Sequence, residues 1–317
     1  MRSRRSTVLA VLCASFLLVG CSSGGEAQSG DGSGEPAASQ TEQPSATPTP
    51  EEPAELIGGG TTMFPDRRFV ALYGHPGTPG LGALGEQGPE ASVTRVKELA
   101  KSYEPYSEEK VIPAFEIIAT TASSEPGPDG NYSTESTVEQ LMPYVEAAEK
   151  NDVYVVLDLQ PGQADFLTQA KQYEELLKRP NVGLALDAEW RLAPGQLPLQ
   201  QIGSVDAAEI NKTSEWLAQL TRDNQLPQKS LILHQFSMSM IENRQAINTQ
   251  HPELAFVLHA DGHGTPDLKT GTWNALQEGL PKGIRMAWKN FYDEDTPMYT
   301  PQQTYALDPK PWFVSYQ

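Results

Sequence analysis

The chain is poor in cysteine, in basic residues and in long apolar runs, and each shortage excludes something. Its only cysteines among 317 residues are Cys13 and Cys21. Cys13 lies in a stretch expected to be removed, so no thiol pair remains and a disulfide framework is excluded. Lys and Arg number 23 against 41 Asp and Glu, for a formal net charge of -18. Removal of Arg2, Arg4 and Arg5 with the leader would make the remainder more acidic still. No basic run is present to displace phosphate counterions, so no nucleic-acid partner is expected. The apolar stretch "VLAVLCASFLLVG" at 8–20 is too short for a membrane span. "GTPGLGALGE" at 77–86 lacks the GxGxxG order of a phosphate-cradling loop. No cofactor is expected.

What is present divides the chain in three. Residues 1–20 have the layout of a secretory leader, with Arg2, Arg4 and Arg5 ahead of the apolar stretch. "LVGC" at 18–21 resembles the lipobox of bacterial lipoproteins, which implies cleavage before Cys21 and a lipid on that residue. The expected location is then the extracytoplasmic face of a bacterial membrane. Residues 21–60 are Gly, Ser, Pro, Thr, Glu and Gln with little to bury, the composition of a disordered tether. Residues 61–317 form the globular domain, expected to be monomeric.

Within that domain short apolar runs alternate with helical patterns. The spacing predicts strands over Phe69–Tyr73, Val111–Ile118, Val153–Leu159, Val182–Leu186, Leu231–Gln235, Ala255–Ala260, Ile284–Lys289 and Trp312–Tyr316. "VYVVLDL" and "VGLALD" are apolar at nearly every position, as in strands covered on both faces. Helices are predicted over residues 91–103, Val138–Lys150, Ala164–Lys178, Ala207–Asn224, Met238–Thr249 and Leu268–Glu278. Thr300 followed by Pro301 reads as the cap and first residue of another. Eight strands alternating with seven helices indicate a (β/α)8 TIM-type barrel, with a doubly wound open sheet as the alternative. The long connections follow strands, on the side that carries function in barrels.

Polar residues collect where strands end. They are His75 after the first, Glu116 near the end of the second, and Asp158 and Gln160 at the third. Asp187 and Glu189, with Trp190, close the fourth; His234 and Gln235 the fifth; His259, Asp261 and His263 the sixth. Trp288 and Lys289 end the seventh, Tyr292 and Asp293 follow it, and Tyr316 stands in the eighth. Buried charge is costly unless paired or solvated, so such a gathering implies a polar cleft.

Asp187 and Glu189 are two apart, and on a continuing strand both would face one way. Neighbouring carboxylates raise each other's proton affinity, so one can remain an acid while the other is an anion. Glycoside cleavage needs that split. "GLALDAEW" resembles the fourth-strand signature of barrel glycoside hydrolases, D-G-x-D-x-D-x-E in chitinases and D-x-E in barrel-fold lysozymes. Gly183, Asp187 and Glu189 match the chitinase pattern, while Val182 and Ala185 replace its aspartates. The resemblance implies Glu189 as general acid and Asp187 as its helper. The other strand-end residues would contact a glycan or another small polar ligand. The domain is also similar to secreted bacterial lipoproteins through "GLALDAEWRLAPGQ", "IGSVDAAEIN", "LPQK", "HADGHGTP" and "YDEDTPM", a likeness that brings no activity with it.

Two other classes remain open. A metal-dependent hydrolase would use His234, His259, Asp261 and His263, because imidazole and carboxylate suit zinc. A non-catalytic module would hold glycan or peptide in a degenerate barrel site.

Overall fold

The computed structural model describes residues 54–317. The expected leader, the lipidation position Cys21 and the tether up to residue 53 lie outside the described residues. Eight parallel strands form a closed barrel: β1 (Arg67–Gly74), β2 (Lys110–Ala122), β3 (Tyr154–Leu159), β4 (Val182–Asp187), β5 (Lys229–Gln235), β6 (Leu254–Ala260), β7 (Arg285–Asn290) and β8 (Phe313–Tyr316). β1 pairs with both β2 and β8, which closes the ring. All eight expected strands are present, and the open-sheet alternative is excluded.

The helices are α1 (Pro89–Lys101), α2 (Val138–Lys150), α3 (Phe166–Gln172), α4 (Glu174–Leu177), α5 (Ala207–Asp223), α6 (Pro266–Gln277) and α7 (Pro301–Tyr305). Local chemistry sets their starts. Thr137 and Gln140 form a capping box on α2, and Thr300 and Gln303 form another on α7, where Pro301 is the first helical residue. Among the described residues no helix is long and apolar enough to cross a membrane.

Two helical expectations fail. Residues 164–178 break at Tyr173, whose hydroxyl donates to the carbonyls of Ala119 and Ser136. Residues 238–249 are not a helix. They form two 3-10 turns around a two-residue strand, Ile241–Glu242, paired with Val205–Asp206. Asn243 follows in the left-handed region (φ 54), and the Arg244 guanidinium turns inward to Gln235 Oε1 at 2.9 Å and the Glu278 carbonyl at 2.6 Å. The apolar stripe buries Met240 and Ile241 through a loop instead.

Side-chain alternation divides the core into two layers. One set of strand residues, such as Leu72, Val155, Leu157, Leu233 and Leu258, packs outward against Val96, Val145 and Leu217 of the helices. The other points into the barrel. At its N-terminal end the interior is apolar, built from Phe69, Ile112, Tyr154, Val257 and Phe313 and stoppered by Leu56, Met63 and Phe64. Each such burial contributes about 1.5–3 kcal/mol. Leu56 is 3 % exposed, and Arg67 donates to the carbonyls of Ile57 and Gly59. The packed region therefore starts before the expected boundary at residue 61. Gly183 is the residue that admits Tyr154 to this layer: a Cβ there would stand 2.1 Å from Ser230 Oγ and 2.7 Å from the Tyr154 hydroxyl. In β2 the register shifts between Ile118 and Thr120. Ile118 and Thr121 both line the cavity above.

Candidate functional site

At the C-terminal end the same inward positions turn polar. They carry Tyr73 of β1, Glu116 of β2, Asp158 of β3, Asp187 of β4, His234 of β5, His259 of β6, Lys289 of β7 and Ser315 of β8. Register sets Tyr73 beside Glu116, and His234 between Asp187 and His259. Asp261 follows β6 with the same alternation.

These groups form a connected network. His234 lies between two carboxylates, Nδ1 at 2.8 Å from Asp261 Oδ2 and Nε2 at 3.0 Å from Glu116 Oε1. Its Nε2 is also 3.9 Å from Asp158 Oδ1. Tyr73 donates to Asp158 Oδ2 at 2.9 Å, and Ser315 Oγ meets His259 Nε2 at 3.1 Å. The Lys289 ammonium stands 3.4 Å from the centre of the Tyr73 ring.

The electrostatics sort the acids into two kinds. Burial opposes a charge on His234, but Asp158 and Glu116, with the hydrogen bonds the ring makes to Asp261 and Glu116, outweigh it and push the imidazole well above its ordinary value. Burial likewise opposes ionisation of Glu116 and Asp261; the facing imidazoles prevail and keep both carboxyls below their ordinary values. Asp187 goes the other way, pushed well up by burial and by Asp158, Asp261 and Glu189. Glu189 is pushed up to about 7, by burial first and then by Asp261. Within the expected pair both carboxyls are thus shifted upward, whereas Asp261 is held below its ordinary value.

β4 ends at Asp187, and Ala188–Trp190 form a 3-10 turn in which Asp187 Oδ1 accepts from the Glu189 N–H at 3.1 Å. Glu189 thus reaches the cavity from a turn and not from a continuing strand. Gly203 presses on that turn, its N–H 2.6 Å from the Glu189 carbonyl, and a Cβ there would lie 2.5 Å from the same oxygen. The Arg191–Glu209 ion pair, at 2.9 Å, ties the turn to α5.

Above the network opens a cavity of about 680 Å³. Its polar wall includes Gln160, Asp187, Glu189, Asp261 and Lys289, and its apolar wall Leu81, Trp190, Phe236, Leu268 and Phe291. Small-molecule sites have this size and mixture. Of the residues singled out in the sequence, Gln160, Asp187, Glu189, Trp190, Asp261, His263 and Lys289 line the cavity. Glu116, Asp158, His234 and His259 lie buried beneath it.

The others stand elsewhere. Gln235, Trp288 and Tyr316 have the outward alternation. Gln235 binds Arg244, Trp288 packs on Trp273 and Tyr299, and the Tyr316 hydroxyl meets that of Tyr103 at 2.6 Å. His75 is held between Thr78 and Ser136 on a loop, and Tyr292 and Asp293 are exposed outside the cavity wall. His263 does line the cavity, but it is exposed against Phe291 and joins no metal-ligand cluster, so the four-residue metal set expected from the sequence does not assemble. Tyr73, Phe236 and Phe291 were not anticipated. Tyr73 shares the alternation of Phe69 and Ala71 and was within reach of the sequence; the two phenylalanines are loop residues with no such signal.

No protein-family model matches this chain, and no curated protein does. Among solved structures it is similar to a xylanase and α-amylase inhibitor protein from Scadoxus multiflorus, at 9 % identity and a TM-score of 0.42, over 78 % of this chain and 92 % of that one. It is also similar to cellobiohydrolase II from Humicola insolens, at 14 % identity and a TM-score of 0.27, over 62 % of this chain and 57 % of that one.

Proposed function

We propose that this barrel is a glycoside hydrolase acting on envelope or environmental glycans, with Glu189 as general acid. The observation that carries the reading is Glu189 itself: half-buried on the cavity wall that Asp261 shares, with its pKa raised to about 7 by burial and then by Asp261. A carboxyl poised there is an acid at neutral pH. In the reaction Glu189 gives its proton to the glycosidic oxygen as the bond to the anomeric carbon breaks. Asp261, kept anionic by His234, offsets the oxocarbenium charge, and water adds to the anomeric carbon as its released proton returns to Glu189. Asp187 orients the acid through the Glu189 N–H. Trp190 and the phenylalanines offer faces to sugar rings.

The test is Glu189→Gln. Turnover of a responsive glycan should fall by about 10²–10⁴-fold while binding persists. In the unaltered protein kcat/KM should decline above pH about 7, as Glu189 loses its proton. Binding without turnover by the unaltered protein would favour a non-catalytic glycan-binding module; turnover untouched by the substitution would remove Glu189 from the chemistry.

The reading includes a lipid on Cys21 that keeps the domain on the outer face of a membrane. Cys21→Ala should release the protein into the medium with its fold intact, as read by fractionation and circular dichroism.

A further inference from the structure

Beneath the cavity floor Glu116, His234 and His259 converge from three strands with Asp158 beside them, each with 0 % exposure, and ligand atoms of Glu116, His234 and His259 all lie within 4.8 Å of one another. We infer that Glu116, His234 and His259 form a site for one divalent cation, zinc by the chemistry of the donors, separate from Glu189 itself.

The first argument is direction. In three of the four residues the atom turned away from the cluster has its own partner. His234 Nδ1 meets Asp261, His259 Nε2 meets Ser315, and Asp158 Oδ2 accepts from Tyr73. The atoms left facing inward are His234 Nε2, His259 Nδ1, Asp158 Oδ1 and the Glu116 carboxylate. Metal ligands are commonly held by such outer partners, which fix the imidazole tautomer and aim the donor atom.

The second argument is lack of satisfaction. Glu116 Oε2, Asp158 Oδ1 and His259 Nδ1 have no hydrogen-bond partner among the described residues. Buried polar atoms without partners are uncommon and destabilising. One proton on His234 serves a single Glu116 oxygen. A dication serves Glu116, His234 and His259 together.

Spacing agrees. His234 Nε2 is 3.0 Å and His259 Nδ1 3.5 Å from Glu116 Oε1, within a set whose ligand atoms all lie within 4.8 Å of one another. Asp158 Oδ1, 3.9 Å from His234 Nε2, stands outside this set. A tetrahedral zinc with bonds of about 2.0–2.1 Å holds its ligand atoms roughly 3.3 Å apart. Calcium would demand six or more oxygens, which this set does not offer. None of the three lines the cavity. The ion would act on the site through its field and by fixing β2, β5 and β6 to one another.

The experiment is calorimetric titration of chelator-stripped full-length protein with Zn²⁺, paired with the absorption spectrum of the Co²⁺-loaded form. One Zn²⁺ per chain and a tetrahedral cobalt spectrum are expected. Glu116→Gln and His259→Gln should each weaken binding by at least about 100-fold, and Ser315→Ala by about tenfold. His263→Ala and Glu189→Gln should leave it unchanged. No saturable binding by the unaltered protein would overturn the inference, as would octahedral cobalt or equal losses in His263→Ala and His259→Gln. Should the buried variants not fold, stoichiometry and the cobalt spectrum of the unaltered protein decide alone. Because Glu189→Gln abolishes turnover but spares zinc, failure of the hydrolase reading and failure of the metal site give different results.

Discussion

The two ends of the barrel interior use the same strands and the same alternation, yet one is hydrocarbon and the other ionisable. On β2, Ile112 and Ala114 lead up to Glu116; on β6, Ala255 and Val257 lead up to His259; on β8, Phe313 precedes Ser315. The apolar end is closed by Leu56, Met63 and Phe64, whereas the polar end opens into the cavity. The comparison teaches how the work is divided. Close packing at one end fixes the strands, and fixed strands can hold like charges near one another at the other end.

The largest expected effect breaks the apolar end. Phe69→Ala should cost about 3–5 kcal/mol in a denaturant titration, since Phe69 is 2 % exposed and packs on Tyr154 and Phe313. The surviving folded fraction should keep its ligand affinity, because nothing in the cavity wall changes.

A smaller effect of opposite sign sharpens the polar end. The pKa of Glu189 is raised from 4.5 to about 7, so folding favours its protonated form. That contribution is fully present below pH 4.5 and is lost as pH rises through about 7. Glu189→Gln removes the loss, so the variant should exceed the parent in stability at pH 8 by up to about 3 kcal/mol, the gap closing near pH 4. Equal stability at both pH values would show that Glu189 titrates normally.

A third effect is a change of slope at the start of β5. Lys229 is fully buried, donates to the carbonyls of Arg179 and Val182, and has its pKa lowered by burial from 10.5 to about 7. Its contribution is present above pH 10.5 and lost as pH falls towards 7, the reverse of Glu189. In Lys229→Met that alkaline slope should vanish from the stability curve.

Much of this was legible in the sequence. The eight strands were, because runs such as "VYVVLDL" are covered on both faces and admit few other readings. The gathering of acids and imidazoles at the strand ends was also visible. Its membership was less so, because the last polar residue of a strand is not always the inward one. Alternation carried from Ile232 selects His234 and rejects Gln235; carried from Ala287 it selects Lys289 and rejects Trp288. The loops were opaque. The amphipathic stripe at 238–249 suits a helix locally, and only the inward turn of Arg244 and the pairing of Ile241 with Val205 exclude one. The turn that begins at Ala188 depends on the Asp187 side chain capping it and on Gly203 arriving from fourteen residues downstream.

The register shift in β2 carries a consequence for anyone who would redesign the mouth. Upstream of it, strand period assigns each residue to the inside or the outside. Downstream, that count is offset, and Thr121 faces the hollow by virtue of its ordinal place. Excising Ala119 would re-thread the remaining stretch and present a different row of side chains to whatever enters, while Glu116, three steps earlier, keeps its post.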